Sequence, residues 1–393
     1  MEYPRIILNK GKEFSLQRLH PWVFSGAIAR KPANLQEGEI VEVYSAKEEF
    51  LGTGYYAAGG SISVRIISFE KTPIDKDFWF NKISKAYAYR KHLNILNINT
   101  NVCRLFFGEG DGAPGLILDY YDGHVVLQAH SWGVYLQKEN LVDALKQALG
   151  KDLKSIYDKS AETLPKNFAS QGGNGFLYGE AGGDIVVKEN GHLFKIDFVN
   201  GQKTGFFIDQ RDNRQLLGHY SKSKSVLNTF SYTGGFSVYA AAAGAELVHS
   251  VDVSQSAITL CDENIALNQL QNHESFAMDT FDFLKDKKDK YDVIVLDPPA
   301  FAKSRDSKHN AVQGYKRLNA LAMKLIKPNG IIFTFSCSGV VDKYLFYNTV
   351  TAAAMEAKRN IRILHYLNQP ADHPVTPYFA EGEYLKGMVL WVE

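Results

Sequence analysis

Val226-Leu227-Asn228-Thr229-Phe230-Ser231-Tyr232-Thr233-Gly234-Gly235-Phe236 is the stretch on which the reading of this 393-residue chain turns. Its first half, Val226–Phe230, is apolar enough for a buried strand, and its second half is a small polar turn closed by two glycines. A helix of small residues, Phe236–Ala243, follows. The alternation then continues through strand Leu247–Val251, helix Ser254–Gln271, strand Tyr291–Leu296, helix Tyr315–Ile326 and strand Gly330–Ser336. Strands alternating with helices predict an α/β fold built on a doubly wound, mostly parallel, Rossmann-like sheet. Ligands of such sheets bind beyond the carboxyl ends of the strands, so the residues at those tips become the candidates.

The first tip offers Phe230, Tyr232, Gly234 and Gly235, where absent Cβ atoms let a ligand approach the backbone. A plain tight turn would use the same glycines. Asp252 ends the second strand, where a carboxylate can accept both hydroxyls of a ribose; its alternative role is to cap the helix starting near Ser254. Asp279 ends the third strand, placed to receive an adenine amino group or to cap the following helix. The fourth strand runs into Asp297-Pro298-Pro299-Ala300-Phe301. Two prolines fix φ twice, so this stiff loop can hold Asp297 and Phe301 around a planar base, one by hydrogen bond and the other by stacking.

Cys337 follows the strand Gly330–Ser336 and so reaches the same sheet edge as Asp297. C5 of cytosine or uracil is a poor nucleophile. A thiolate adding to C6 turns C5 into an enamine-like carbanion able to take up an electrophilic methyl group. Cysteine suits the step because its thiolate attacks well and can later leave. The alternative is a small buried hydrophobe, and that is the role expected of Cys103 and Cys261. Three scattered cysteines without a CxxC pair indicate neither a zinc site nor a disulfide framework.

Upstream of residue 201 the pattern changes. Residues 1–72 read as short strands (Arg5–Leu8, Trp22–Phe24, Glu39–Tyr44, Gly52–Tyr56, Ser61–Ser68) with frequent turns, the mark of a small β-barrel. Residues 73–200 read as a separate α+β module. It has helices Asp77–His92 and Trp132–Leu149, strands Gly115–Tyr121, His124–Ala129 and Ser155–Asp158, and a hairpin, Asp184–Glu189 with His192–Val199. Asp122-Gly123 and Asn190-Gly191 predict two tight hairpin turns. Residues 201–393 carry the Rossmann-like sheet. Lys and Arg total 44 against 43 Asp and Glu, for a net charge of +1, so any grip on nucleic acid must come from local patches. Lys10, Lys12, Arg18, Arg30 and Lys31, near Trp22, form one such candidate; the Lys285–Lys290 run alternates with Asp and reads as a solvated helix end. The N-terminus lacks the apolar core of a signal peptide, and no apolar run is long enough to span a bilayer. The cytoplasm is therefore the expected compartment.

Along nearly the whole chain these residues resemble the ribosomal RNA large-subunit methyltransferase I family, the cytosine-5 methyltransferases of 23S rRNA. Lys10-Gly11 and His20-Pro21-Trp22-Val23-Phe24-Ser25-Gly26 are similar to its opening, which folds as a PUA domain. Gly110-Asp111-Gly112-Ala113-Pro114-Gly115-Leu116 resembles its central signature, and Asp372-His373-Pro374 with Glu383-Tyr384-Leu385-Lys386-Gly387 its tail. The stretch Gly201-Gln202-Lys203-Thr204-Gly205-Phe206-Phe207-Ile208-Asp209-Gln210-Arg211 is highly specific to the family, as are that tail, Phe230-Ser231-Tyr232-Thr233-Gly234-Gly235-Phe236, the Asp297 motif and Thr334-Phe335-Ser336-Cys337-Ser338-Gly339. The resemblance implies a class I methyltransferase sheet with S-adenosylmethionine as cofactor, and adds Gln202, Thr204 and Arg211 to its site. It further implies Cys337 as nucleophile, 23S rRNA as partner, and no metal or membrane; a homodimer stays open. Two alternatives remain at this point. One is methylation of an exocyclic amine by the Asp297 motif with Cys337 a bystander. The other is a non-catalytic RNA-binding factor.

Overall fold

The computed structural model describes residues 2–181, 185–285, 287–302 and 305–393. Asp184, expected to open a strand, and Asp286, inside the Lys285–Lys290 run, lie outside the described residues. The chain divides into two compact units. The first comprises Met1–Ile185, Asp197–Gly205 and Ala371–Gly382; the second comprises Val186–Ile196, Phe206–Pro370 and Glu383–Glu393.

The first unit holds two sheets. In the six-stranded sheet the order is Trp22–Phe24, Ile62–Ser68, Phe50–Tyr56, Ile40–Tyr44, Arg5–Leu8, Ile28–Arg30. Only Arg5–Leu8 and Ile40–Tyr44 pair in parallel. Alternate residues (Ile6, Leu8, Val41, Val43, Val64, Ile66) point into one shared core, as the period of two requires. The five-stranded sheet orders Gly175–Tyr178, Ser155–Asp158, His124–Ala129, Leu116–Tyr121, Val102–Phe107. Helix Lys76–His92 starts at Asp75, whose carboxylate accepts the backbone N–H groups of Asp77 and Phe78. The single helix expected over Trp132–Leu149 is two, Trp132–Tyr135 and Lys138–Leu149. Gln137 stands at the break, and its side-chain oxygen accepts the Trp79 indole and the Asn140 amide instead of solvent. Asp122 and Gly123 both take positive φ, 49° and 91°, as do Asn190 and Gly191 at 50° and 87°. These are the values the two hairpin turns need.

In the second unit the seven strands of the main sheet are numbered in chain order. They are β1 Ser225–Thr229, β2 Leu247–Asp252, β3 His273–Ala277, β4 Val293–Leu296, β5 Gly330–Ser336, β6 Ile361–Leu367 and β7 Lys386–Val392. Their spatial order is 3-2-1-4-5-7-6. All pairings through β5 are parallel, and β7 runs antiparallel to both of its neighbours. The order reverses direction between β1 and β4, and the crevice at such a switch point is where an open α/β sheet binds ligands. β4 is apolar along its length and β1 is buried from Val226 to Thr229, as strands covered on both faces are. The helix expected at Tyr315–Ile326 begins earlier, at Lys308. Its first turns are polar and contain Gly314, which hid them; a Cβ on Gly314 would come within 3.0 Å of the Phe301 ring. The hairpin strand His192–Ile196 is held by the helix Gln255–Leu267 and its cap, where Asn264 and Asn268 accept the Lys195 and Leu193 N–H groups.

Candidate active site

At the tip of β1 the chain turns sharply. Phe230 and Tyr232 adopt positive φ, 53° and 45°, a conformation costly for residues with a side chain and concentrated at functional sites. Asp252, half-buried at the tip of β2, stabilises that turn: its two oxygens accept the Tyr232 N–H and the Ser254 N–H, each at 2.9 Å. The helix beyond is capped by Ser254, whose hydroxyl accepts the Ala257 N–H. Each carboxylate oxygen has two lone pairs, so the backbone donors leave acceptor capacity for a ligand. Ser231 is buried in the same turn, and its hydroxyl has no hydrogen-bond partner among the described residues. An orphaned polar atom beside a half-buried carboxylate suits a polar ligand. Gly234, at φ 77°, is required by its neighbour, since a Cβ there would sit 2.3 Å from Cys261 Sγ. Asp279 is exposed and caps the short helix Thr280–Leu284, one oxygen accepting the N–H groups of Phe281 and Asp282.

The tips of β4 and β5 lie side by side, with Leu296 in register with Thr334. Asp297 comes one residue after the first and Cys337 three after the second. Asp297 is half-buried and accepts a 3.0 Å hydrogen bond from the Gln210 amide, which Asn213 in turn holds by its oxygen at 2.6 Å. Pro298 is buried and Pro299 exposed. Phe301 leans on Tyr315 with ring centroids 4.8 Å apart. Two hydroxyls tie the loops together. Ser338 donates to the Ala302 carbonyl at 2.8 Å, and Ser336 donates to the Tyr315 oxygen at 3.0 Å. Burial pushes the Tyr315 phenol up to about 12, against the Ser336 hydrogen bond that pulls it down, so it stays protonated at neutral pH.

Residues 6–69 match the model of a PUA-like domain, and residues 104–388 that of an S-adenosylmethionine-dependent methyltransferase. A curated relative, ribosomal RNA large subunit methyltransferase I of Aeromonas salmonicida, is 40% identical over 392 residues, covering 98% of either chain. This chain belongs to the ribosomal RNA large-subunit methyltransferase I family. Among solved structures, a chain from Streptococcus mutans described as a SAM-dependent methyltransferase is 26% identical, with a TM-score of 0.84 and full coverage of both chains. A methyltransferase structure complexed with SAH matches as fully, at 26% identity and a TM-score of 0.85. The fold is thus an α/β one, a PUA-like domain followed by a Rossmann-like methyltransferase sheet, and the cofactor is S-adenosylmethionine.

Other family motifs have structural employment. In the first unit Arg90 is fully buried, its guanidinium pairing with both oxygens of Asp111 at 2.6 and 2.7 Å and donating to the Asp372 carbonyl at 2.7 Å. A Cβ on Gly110 would lie 2.0 Å from the Pro374 carbonyl oxygen. The signatures around Gly110 and Asp372 therefore need each other to fold. Thr204 is buried, its hydroxyl donating to Asp119 at 2.6 Å, while Gln202 is exposed; both belong to the first unit. Arg211 is buried in the second unit, at the start of helix Arg211–Ser221. Trp22 is committed to its surroundings: the indole N–H donates to Glu109 at 2.9 Å, and the ring packs on Phe379 at 4.6 Å. Phe14 and Phe24 are the exposed aromatics of that region.

Gln210, Asn213, Tyr315 and Lys386 were not singled out by sequence reasoning. Gln210 and Lys386 stand inside family motifs, but nothing in the sequence places them against Asp297 or the Cys337 turn. Cys103 and Cys261 are buried, and burial pushes the Cys261 thiol up to about 12. Cys261 meets Ser250 and His273, and together with Asp262 and His273 it brings three potential ligand atoms within 4.8 Å of one another. His273 Nε2 also pairs with the Ser250 hydroxyl at 2.7 Å. Among the described residues no helix is long and apolar enough to cross a membrane.

Proposed function

We propose that this chain methylates C5 of a cytosine in large-subunit (23S) ribosomal RNA, in the cytoplasm, through a covalent bond between Cys337 and the base. The observation that carries this reading is the placement of Cys337. It is the one cysteine of three that is not buried, and it shares a sheet edge and a hydrogen-bonded pair of loops with Asp297. The name of the Aeromonas relative supports the class of substrate. Residues 1–72 would hold RNA through Lys10, Lys12, Arg18 and Arg30, with exposed Phe14 and Phe24 offering faces for stacking.

S-Adenosylmethionine, when bound, supplies an electrophilic methyl group on a sulfonium. Asp252 would receive its ribose hydroxyls, the turn of Phe230, Tyr232, Gly234 and Gly235 would lie along it, and Asp279 would take the adenine amine. Arg211, in the same unit, would complete that site. Pro298, Pro299 and Phe301 would confine the target base, which must leave its stack to be reached. Asp297, oriented by Gln210, would hydrogen-bond the base near N3. The Cys337 thiolate adds to C6, and the C5–C6 π electrons shift onto C5 and the ring. C5 would then take up the methyl group as the methyl–sulfonium bond breaks, with that bond's electron pair left on sulfur. Loss of the C5 proton returns electrons to the ring and breaks the C6–S bond, which restores the thiolate. RNA carrying 5-fluorocytosine at the target should form a denaturant-resistant complex with the wild type, because fluorine cannot leave as a proton does. Product formed without any such complex would favour amine methylation by the Asp297 motif.

A further inference from the structure

Lys386 opens β7 directly opposite Ser336, the last residue of β5. Its side chain is almost wholly withdrawn from water, with the residue 4% exposed. The ammonium donates to the Ser338 carbonyl at 2.6 Å and the Val341 carbonyl at 2.8 Å. Those two carbonyls bracket the turn that begins just after Cys337. Among the described residues no carboxylate is in ion-pair contact with this ammonium. A buried ammonium held only by neutral carbonyls is expensive, and a leucine or methionine would fill the position without that cost. The charge therefore calls for a partner that is negative at some point in the working cycle.

The surrounding ionisable groups narrow the choice. Glu383 and Asp342 lie nearby but pair with Lys343 and Lys308 at 3.6 and 3.9 Å. Asp297 accepts from Gln210, and Tyr315 stays protonated. Burial lowers the Lys386 pKa, and the largest opposing electrostatic influence is Cys337, ahead of Glu383 and Asp342. Attraction between two charges is mutual: whatever Cys337 does for the ammonium, the ammonium does for the thiolate.

We propose that Lys386 is a positioning residue for Cys337, its buried ammonium both pinning the Ser338–Val341 turn and favouring the thiolate form of the nucleophile. The role rests on the reading of Cys337 as the attacking group. It also explains how a cysteine at the end of an apolar strand could react at neutral pH, where an ordinary thiol is mostly protonated.

The test is the pH dependence of Cys337 alkylation by iodoacetamide, read on its own peptide by mass spectrometry in wild type, Lys386→Met and Lys386→Arg. In the wild type the midpoint should lie below the ordinary thiol value of about 8.5. Lys386→Met should raise it by roughly one pH unit or more and carry the alkaline shift into the kcat profile. Lys386→Arg, which keeps the charge, should stay close to wild type. A wild-type midpoint at or above the ordinary value would overturn the proposal without any variant having to fold. So would an unmoved midpoint in a Lys386→Met protein that retains its melting temperature and cofactor affinity. Alkylation does not depend on turnover. A Cys337→Ala enzyme that still methylates would sink the nucleophile reading while leaving the alkylation midpoint as measured.

Discussion

In the first unit Asp111 closes on Arg90, and both side chains are shut away from water in a fork of paired hydrogen bonds. In the second unit Asp297 takes the Gln210 amide and remains half-exposed at a strand tip, next to a cysteine that is also half-exposed. Both aspartates sit in motifs that resemble the family's, yet their surroundings separate them. A carboxylate whose lone pairs are consumed by a buried guanidinium specifies the fold. One that is only half-buried at the carboxyl edge of a parallel sheet stands where such sheets meet their ligands. A motif's specificity therefore says that its residues matter, and only burial and partners say whether they matter for folding or for chemistry.

The largest effect should separate the two regions outright. Cys337→Ala is expected to lower turnover by on the order of 10³-fold or more while leaving S-adenosylmethionine affinity close to wild type, because the thiol would touch the base. Cys103→Ala and Cys261→Ala should remain active. Single-turnover methylation together with calorimetry reads both quantities; a Cys337→Ala enzyme of near-normal rate would return Asp297 to the amine-methylating alternative.

Arg90→Met is the counterpart in the first unit. Removing one member of a buried pair leaves a stranded charge and should cost about 3–5 kcal/mol. Trp22, Trp79 and Trp132 belong to that unit and Trp391 to the second, so tryptophan fluorescence in a urea titration of a Trp391→Phe background follows it. Cofactor affinity should not change at denaturant concentrations where the protein is folded. A loss of affinity without a loss of stability would move the Arg90 cluster from architecture to function.

Asp252→Ala probes the other strand tip. Losing two charge-assisted hydrogen bonds to a ribose should weaken S-adenosylmethionine binding by about 2–4 kcal/mol. Asp252 also accepts the Tyr232 and Ser254 N–H groups, so Asp252→Asn, which keeps an acceptor oxygen, should lose less than the alanine variant. Equal affinity in all three proteins would take Asp252 out of the cofactor site.

Much of this arrangement was legible before the structure. Asn190-Gly191 and Asp122-Gly123 announce their turns because only a few residues tolerate positive φ in succession. The strand tips at Asp252, Asp297 and Cys337 are legible because apolar runs buried on both faces end where polar residues begin. Lys386 and Gln210 were recognisable only as parts of motifs, since their roles come from register. Lys386 meets the Cys337 turn because β7 runs antiparallel beside β5, a pairing between distant segments that no local pattern encodes. The same holds for Cys261, Asp262 and His273, whose sequence spacing suggests nothing and whose proximity is made by a helix lying across β3.

Gly234→Ala should show a smaller effect with a clear cause. The added Cβ would lie 2.3 Å from Cys261 Sγ, and the backbone there has φ 77°. Overpacking and strain together should cost about 1–3 kcal/mol. Shortening the obstruction tests the cause: Gly234→Ala combined with Cys261→Ala should recover the overpacking part and keep the backbone part. A double variant no more stable than Gly234→Ala alone would mean that the positive φ accounts for the whole cost.

The smallest expected effect is a pH dependence of stability from His249 in β2. The residue is buried, with its Nδ1 2.7 Å from the Tyr291 hydroxyl, and burial lowers its pKa to about 4. An unfolded chain protonates the same imidazole near pH 6.5. Between those values the unfolded state binds the extra proton and the folded state does not, so stability rises with pH across that window. The contribution is fully present above about pH 6.5, fades as pH falls, and changes no further below about 4. By pH 5.5 the loss should amount to about 1 kcal/mol. His273 and His192 are shifted in the same direction by burial, so the wild-type slope is shared among them, and the comparison with His249→Asn isolates one share. Urea midpoints at pH 7.5 and 5.5 should fall further in the wild type than in the variant. Equal falls in the two proteins would show that His249 already takes up its proton in the folded sheet, and that the Glu274 carboxylate, 3.3 Å from Nε2, outweighs the burial.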